Sequence, residues 1–380
     1  MRIGILTLPL HTNYGGILQA YALQTVLERM GHEVCVLGAE FHSEDVSLSY
    51  KIRWALRQIK NILTNGKYLP FKYNNKAQLE MYNARILYTS YFIKNHIHEK
   101  KVNSLGDIKP SDFDAIIVGS DQIWRTRYNK KWNQQKIDDV YLGFTKGWNI
   151  RRIAYAASFG TNSLEIEDCD LEACQKSISQ FDAISVRESS GVDICNKKLG
   201  VKAIVMPDPT MLLIKDDYMK LIPKEQNHTG HQLLSYILAE TKDNARLREY
   251  IAKQKHLEIN IVNNPIYYDK NKKLPSQPPV ENWLQGFAEC DYVITDSFHA
   301  CVFSILFHKP FTAIANRSGG VDRFESLLKM FGLENRLVYS VDEYKEMPDI
   351  NWEKIDCILK SNRAIGLNFL KESLYGKVNN

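Results

Sequence analysis

Short apolar runs alternate with segments of helical periodicity along most of the chain. In the first 223 residues the pattern predicts strands at 2–8, 34–37, 115–118, 153–157, 183–186 and 203–206. After a polar stretch at 224–231, a second series of strands is predicted at 232–238, 258–262, 292–295 and 311–315. Helical patterns such as 17–30 and 242–255 lie between these runs. Strands that alternate with helices are typical of parallel, doubly wound sheets.

This pattern predicts two Rossmann-like α/β domains that face each other across a cleft. The chain has 380 residues, more than a single domain usually contains. We expect an N-terminal domain at 1–223 with a basic helical insertion at about 41–110. A C-terminal domain follows at 232–340, and residues 341–380 are predicted to form helices that pack back across both domains.

Composition places the chain among soluble globular proteins, with 44% hydrophobic and 24% charged residues. No segment reaches the roughly 18 apolar residues of a membrane span, and the first residues lack a signal-peptide pattern. The seven cysteines are scattered without a C-x-x-C pair. We therefore expect reduced thiols, no metal, no cofactor and a cytoplasmic location.

The formal net charge is +5, and residues 51–76 contribute seven Lys and Arg with no acid, so the rest of the chain is slightly acidic. This stretch also has an apolar stripe at helical spacing. It is interpreted either as a solvated helix face or as a peripheral contact with the inner membrane surface. A nucleic-acid partner is not expected, because the basic stretch is short. The oligomeric state stays open.

The strongest chemical signal lies between Cys290 and Cys301. A predicted strand ends at Thr295, Asp296 and Ser297 are good N-cap residues, and His299 follows in the first turn of a predicted helix. Ligands of open α/β sheets bind beyond the carboxyl ends of strands, where free N–H groups attract anions. His299 is either a proton donor to an anionic substrate or a histidine satisfied within the core.

Polar and glycine residues follow other predicted strands in the same way. Asn13, Tyr14, Gly15 and Gly16 precede the first helix, and Asp121, Gln122 and Trp124 follow the strand at 115–118. Arg187 follows the strand at 183–186, while Arg317 and Arg323 come after the strand at 311–315. Arginine suits carboxylate or phosphate, and carboxylate, amide and indole groups suit a sugar. Tight turns, helix caps and salt bridges are the structural alternatives, and Asp208 between two prolines is interpreted as a turn residue.

The order of these motifs resembles the polysaccharide pyruvyl transferase family. The resemblance rests on Asn13-Tyr14-Gly15-Gly16, Gly119-Ser120-Asp121-Gln122-Ile123-Trp124, Ser185-Val186-Arg187-Glu188, Asp208-Pro209-Thr210 and Thr295-Asp296-Ser297-Phe298-His299. It spans about residues 1–330. It implies a fold like that of GT-B glycosyltransferases and transfer of a pyruvyl group from phosphoenolpyruvate to a sugar, with release of phosphate. Cell-wall, capsular or lipid-linked glycans are the implied acceptors.

By position, the resemblance implies that His299 is the essential histidine and that Arg187 holds the donor. It also places Asp121 on the acceptor side. We expect His299 to act as general acid and Asp121 as base. Ser297, Arg317 and Arg323 would help to hold the donor, while Asn13, Tyr14, Gly15, Gly16, Gln122 and Trp124 would line the acceptor side. Several branches of the family carry arginine where this chain has Ser297, so donor binding here must use other groups. A nucleotide-sugar glycosyltransferase and a non-catalytic two-lobed binding module are the alternatives.

Overall fold

The computed structural model of the chain describes residues 1–39, 75–129, 136–223, 231–262, 276–315 and 320–376, together with 55, 56, 59 and 62. Two parallel sheets follow one another along these residues, each flanked by helices. The predicted fold class of two Rossmann-like α/β units is therefore confirmed.

The first sheet has the strand order β3-β2-β1-β4-β5-β6-β7, and all neighbouring strands are parallel. Its strands are β1 (Arg2–Leu6), β2 (Glu33–Ala39), β3 (Glu99–Val102), β4 (Ala115–Val118), β5 (Arg151–Ala157), β6 (Ala183–Val186) and β7 (Ile204–Val205). The helices in this part are α1 (Tyr14–Arg29), α2 (Asn75–His96), α3 (Thr126–Asn129), α4 (Asp168–Ile178), α5 (Ser189–Ile194) and α6 (Lys215–Met219). The strand order reverses between β1 and β4, and this switch point is where open sheets bind ligands.

The second sheet has the order β12-β11-β10-β8-β9 and is also parallel. Its strands are β8 (Gln232–Tyr236), β9 (Glu258–Ile261), β10 (Tyr292–Thr295), β11 (Phe311–Ile314) and β12 (Leu337–Val338). The helices are α7 (Lys242–Lys255), α8 (Val280–Glu289), α9 (Phe298–Leu306), α10 (Val321–Phe331) and α11 (Trp352–Tyr375). Here the switch point lies between β8 and β10.

Burial explains why the central strands read as continuous apolar runs. All four residues of β4 and of β10 are buried, as expected for strands covered by helices on both faces. One continuous group of buried side chains includes residues of both sheets and their helices. Tyr14 of α1 stacks on Trp283 of α8 at 5.4 Å, and Tyr218 meets Phe303 at 4.8 Å. The two sheets therefore share a packed apolar interface.

The C-terminal helix α11 contacts elements of both sheets. Near its start, Asp356 pairs with His308, which follows α9, at 2.8 Å. Along its length Gly366 approaches Leu212 and Tyr155, and after its end the Gly376 carbonyl accepts a hydrogen bond from Arg151 at 3.2 Å. Residues 344–351, which the sequence pattern includes in a helical region, are not helical.

Two strands were not predicted from the sequence, and both are weakly apolar or very short. β3 has the sequence Glu-Lys-Lys-Val and lies at the edge of the first sheet, where charged residues are common. β12 has only two residues. The predicted basic helical insertion at about 41–110 contains the helix α2, whereas most of residues 40–74 lie outside the described residues. In the described part of the chain, no helix has the length and hydropathy needed to span a bilayer.

Candidate active site

Strand ends from both sheets converge where the two switch points face each other. Five of the residues brought together in this way are Gly15 after β1, Ser120 after β4, Arg187 after β6, Asp208 after β7 and His299 after β10. These residues are far apart in sequence. They meet because the carboxyl ends of parallel strands lie at one edge of each sheet.

His299 lies in the first turn of α9, where the sequence predicted it. Ser297 is the N-cap, and its hydroxyl accepts from the Ala300 N–H at 3.5 Å. The residue is 6% exposed, and the Nδ1 edge of its ring packs on Gly15. A Cβ at position 15 would lie 2.1 Å from Nδ1. Glycine is therefore required at position 15 for α1 to approach the histidine this closely.

Asp208 is the buried centre of the cluster. Its Oδ2 accepts hydrogen bonds from Ser120 Oγ and Arg187 Nη1, both at 2.9 Å, and lies 3.4 Å from His299 Nε2. Its Oδ1 accepts from the Thr210 N–H at 3.0 Å and the Thr210 hydroxyl at 2.7 Å. Burial alone would raise the pKa of this carboxyl, but His299 and Arg187 outweigh burial and hold the pKa well below its usual range. Asp208 is therefore ionised at neutral pH.

The sequence interpretation of Asp208 as only a turn residue is incomplete. Its side chain does cap the short 3₁₀ turn Pro209–Leu212, as a turn residue would. The same carboxylate also holds a buried arginine and faces a histidine of the other sheet. The available signal was its position after a predicted strand, which it shares with Asp121 and Arg187. Sequence reasoning gave more weight to the flanking prolines.

Arg187 is a buried cation with unused hydrogen-bond donors. Its side chain is 1% exposed and pairs with Asp208 through Nη1. Its guanidinium lies over the Phe298 ring, with Cζ 4.3 Å from the ring centroid. Nε and Nη2 are buried and have no hydrogen-bond partner among the described residues. Buried N–H groups normally find acceptors, so these donors indicate a place for an anionic ligand.

Arg323 supplies a second guanidinium close to the first. It lies in the first turn of α10, and its Nε is also buried without a partner in the described part of the chain. Burial and then the charge of Arg187 lower the pKa of Arg323 to about 10, against the opposite effects of Glu188 and Asp121. Arg323 therefore stays charged at neutral pH. The two arginines crowd positive charge at the interface, which an anion would relieve.

Three of the predicted acceptor-side residues meet beside this cluster. Asn13 Nδ2 donates to Asp121 Oδ2 at 3.2 Å, and a Cβ on Gly16 would lie 3.2 Å from each of those two atoms. Asp121 has a φ of 70°, a left-handed conformation that is uncommon outside glycine. Such backbone strain is concentrated at functional sites. Gln122, also predicted on this side, accepts from Arg125 Nη1 at 2.9 Å.

Two aromatic residues that were predicted to line the acceptor side, Trp124 and Tyr14, have no free ring face. Trp124 is 1% exposed, donates from Nε1 to the Val140 carbonyl at 3.1 Å and stacks on Tyr141. Tyr14 is fully buried, and its hydroxyl donates to the Pro278 carbonyl at 2.7 Å. Both rings pack in the core, so neither has an open face on which a sugar could stack. Composition could not separate packing from stacking.

Two further residues, Ser297 and Arg317, were predicted to help hold the donor. Ser297 acts as a helix cap, and Arg317 lies outside the described residues. Among the residues that the structure describes, no three His, Cys, Asp or Glu side chains are grouped so that they could hold a metal ion.

Fold and site together define a two-domain α/β protein with a histidine, an ionised carboxylate and two arginines at the interface of its sheets. The sequence profile of the family described as "Polysaccharide pyruvyl transferase" matches residues 13–318. That match covers most of the chain, and the protein therefore belongs to the polysaccharide pyruvyl transferase family.

Solved structures with a similar fold have low sequence identity. A UDP-GlcNAc 2-epimerase from Neisseria meningitidis, bound to UDP-GlcNAc, is 10% identical, with a TM-score of 0.48 over 99% of this chain and 100% of that one. UGT89C1 from Arabidopsis thaliana, complexed with UDP-L-rhamnose, is also 10% identical, with a TM-score of 0.48 over 97% of each chain. A comparison with curated proteins gives no match.

Proposed function

We propose that this protein transfers the pyruvyl group of phosphoenolpyruvate to a sugar of a cell-surface or lipid-linked glycan, forming a ketal and releasing phosphate. The observation that carries the proposal is Arg187, a buried guanidinium whose Nε and Nη2 have no partner among the described residues, beside His299 and Arg323. Phosphoenolpyruvate has a carboxylate and a phosphate, and these two anionic groups suit two neighbouring guanidiniums.

Donor binding would use the two arginines together with the start of α9. Arg187 is fixed by Asp208 and by the Phe298 ring, so its unused donors have a defined direction. Arg323 would supply the cation that Ser297 cannot. The first turn of α9 adds the favourable field of a helix N-terminus. Asp208 pairs with Arg187, and Glu188 and Asp121 act on Arg323, so these carboxylates partly offset the two positive charges.

The reaction needs a proton donor, a base and cations for the donor. His299 would protonate the methylene carbon of phosphoenolpyruvate, which leaves an oxocarbenium-like centre at the adjacent carbon. A sugar hydroxyl would attack that carbon while Asp121 accepts its proton. Phosphate would then leave that carbon, and a second hydroxyl of the same sugar would add to the resulting oxocarbenium centre and close the ketal while its proton passes to the neutral His299 ring.

The test is to incubate the protein with phosphoenolpyruvate and candidate glycans. Phosphate release and a glycan mass gain of one pyruvate less one water are expected. In the His299→Gln variant, turnover should fall by about 10²–10⁴-fold, the range for a lost general acid, while phosphoenolpyruvate still raises the thermal midpoint. His308→Gln is the matched control, because His308 pairs with Asp356 away from the cluster. Near-normal turnover of His299→Gln would contradict the assignment.

The same measurements separate the alternatives. Thermal stabilisation by nucleotide sugars, with none from phosphoenolpyruvate, would favour a glycosyltransferase. Binding of phosphoenolpyruvate without product from any acceptor would favour a binding module.

We also propose that the protein works at the cytoplasmic membrane face, where lipid-linked glycans are found. The stretch 51–76 is strongly basic in sequence, and three apolar side chains in it are exposed: Leu56 by 62%, Ile59 by 56% and Ile62 by 49%. Basic residues beside exposed apolar ones favour anionic lipid surfaces. Binding to anionic vesicles at low salt, but not to neutral vesicles or at high salt, is expected. Failure to bind anionic vesicles at low salt would contradict this proposal.

A further inference from the structure

The two ring nitrogens of His299 have different surroundings. Nε2 lies 3.4 Å from Asp208 Oδ2 and 3.5 Å from Arg187 Nη1. Nδ1 lies on the side of Gly15 and has no hydrogen-bond partner among the described residues. Which nitrogen carries the proton of the neutral ring therefore follows from what each neighbour can donate or accept.

The neighbours favour a proton on Nε2. An ionised carboxylate only accepts hydrogen bonds, whereas a guanidinium only donates them. Arg187 Nη1 has two hydrogens, and they have partners in Asp208 Oδ2 at 2.9 Å and Ser120 Oγ at 3.4 Å. On the Nδ1 side the described residues offer no acceptor, whereas Nε2 faces the ionised Asp208 carboxylate at 3.4 Å.

We propose that Asp208 is a positioning residue that keeps a proton on Nε2 of His299 and so makes Nδ1 the nitrogen that exchanges a proton with the substrate. This assignment rests on the proposed function for its chemical meaning. In the first step the Nδ1–H bond of the imidazolium breaks and a C–H bond forms at the methylene carbon of phosphoenolpyruvate. The electron pair of the carbon–carbon double bond forms that C–H bond. The electron pair of the broken N–H bond stays on Nδ1, so the ring becomes the neutral Nε2–H form that Asp208 holds.

The proposal also gives Gly15 and Asp208 complementary roles. Gly15 determines how close the Nδ1 edge can come to α1, and Asp208 determines which nitrogen keeps its proton. The two constraints come from the first sheet, whereas the histidine belongs to the second. The acid is therefore oriented by the domain opposite to the one that carries it.

The tautomer can be measured without any ligand. The full-length protein is labelled with ¹⁵N-histidine, and the His299 signals among the ten histidines are assigned by comparison with His299→Gln. In alkaline buffer, where histidine side chains are neutral, the nitrogen shifts of wild-type His299 should report a proton on Nε2. A proton on Nδ1 in the wild-type protein would overturn the proposal, whether or not any variant folds.

The variant Asp208→Asn adds a second readout. Its carbonyl oxygen should turn toward Arg187, which leaves the amide N–H₂ facing Nε2, so the histidine proton should move to Nδ1. We expect kcat to fall by about 100-fold, the scale found when a group that orients a histidine is lost, with the KM for phosphoenolpyruvate little changed. Retention of the Nε2–H form with a normal kcat would overturn the proposal.

Thr210→Val is the matched control. It removes the 2.7 Å hydrogen bond to Asp208 Oδ1 and keeps the backbone bond to the same atom. This variant should lose some stability but keep the tautomer, since the Oδ2 side is untouched. A change of tautomer in Thr210→Val as large as in Asp208→Asn would refute a specific role for the Oδ2 contact. If the tautomers behave as expected but phosphoenolpyruvate yields no phosphate with any acceptor, the proposed function fails while the role of Asp208 in fixing the ring stands.

Discussion

Two strand-to-helix turns face each other across the interface of the sheets, and they contribute to the site in different ways. The turn from β10 to α9 carries His299, and its own N-cap, Ser297, satisfies the helix start. The turn from β1 to α1 carries Gly15, and its N-cap residue Asn13 makes no side-chain cap but donates to Asp121 instead. One turn supplies the histidine side chain, and the other, through Gly15, leaves space for its ring.

The difference indicates that the site is complete only when both sheets are in contact. His299 has its hydrogen-bonding neighbours, Asp208 and Arg187, on the first sheet and its backbone on the second. A glycine-rich turn after the first strand would suggest phosphate binding by backbone N–H groups. Here Gly15 is used for close approach of a side chain, which is a different reason for the same residue type.

The largest effect should come from filling the space beside Gly15 in the turn from β1 to α1. In Gly15→Ala the new Cβ would meet the His299 ring at 2.1 Å, so the ring must move. A displacement of about 1 Å costs on the order of 100-fold in rate, and we expect a loss of at least that size in phosphate release.

The neighbouring glycine gives the matched control for that loss. In Gly16→Ala the Cβ would meet Asn13 and Asp121 at 3.2 Å, which a small shift can relieve, and the gain in helix propensity is similar. Gly16→Ala should lose much less activity. Equal losses in both variants would mean that the contact with His299 is not what requires glycine.

A smaller effect is expected from a substitution in the turn from β10 to α9. Ser297→Ala removes the hydroxyl that caps α9, and loss of an N-cap costs about 1 kcal/mol. Chemical denaturation should detect this change in the free energy of unfolding, with a fall in turnover far smaller than for Gly15→Ala. Ser297→Thr keeps a capping hydroxyl and should restore most of the stability. A complete loss of turnover in Ser297→Ala would instead assign the hydroxyl a direct role at the donor.

The smallest effect should come from the far end of α1. Hydrogen bonds from Arg29 outweigh burial and hold the pKa of Asp217 at about 2, below the value near 3.9 expected in the unfolded chain. The pair therefore stabilises the fold above about pH 4, and that stabilisation is lost as the pH falls toward 2.

Because Arg29 is half exposed, Arg29→Gln should cost only about 0.5 kcal/mol at neutral pH. Urea unfolding at several pH values should show the difference from wild type shrinking in acid, with turnover unchanged. A difference that grows as the pH falls would contradict this sign.

Much of the fold was predictable because burial leaves a clear pattern in sequence. β4, β6 and β10 have the predicted bounds, and α7 does as well. The edge strand β3 was missed because its exposed, charged residues carry no apolar signal. Trp124 and Tyr14 were misassigned because a large aromatic side chain near a strand end looks the same in sequence whether it packs in the core or faces a ligand.

The sequence by itself determined the two parallel α/β units, the helix start that carries His299 and the family to which the ordered motifs point. These features depend on local periodicity, capping residues and short motifs. Only the tertiary structure decided that Asp208 links Arg187 to His299, that Gly15 seats the ring, and that Arg323 lies beside Arg187. Those contacts join residues up to 284 positions apart across two sheets, and no local pattern records which strand ends will meet.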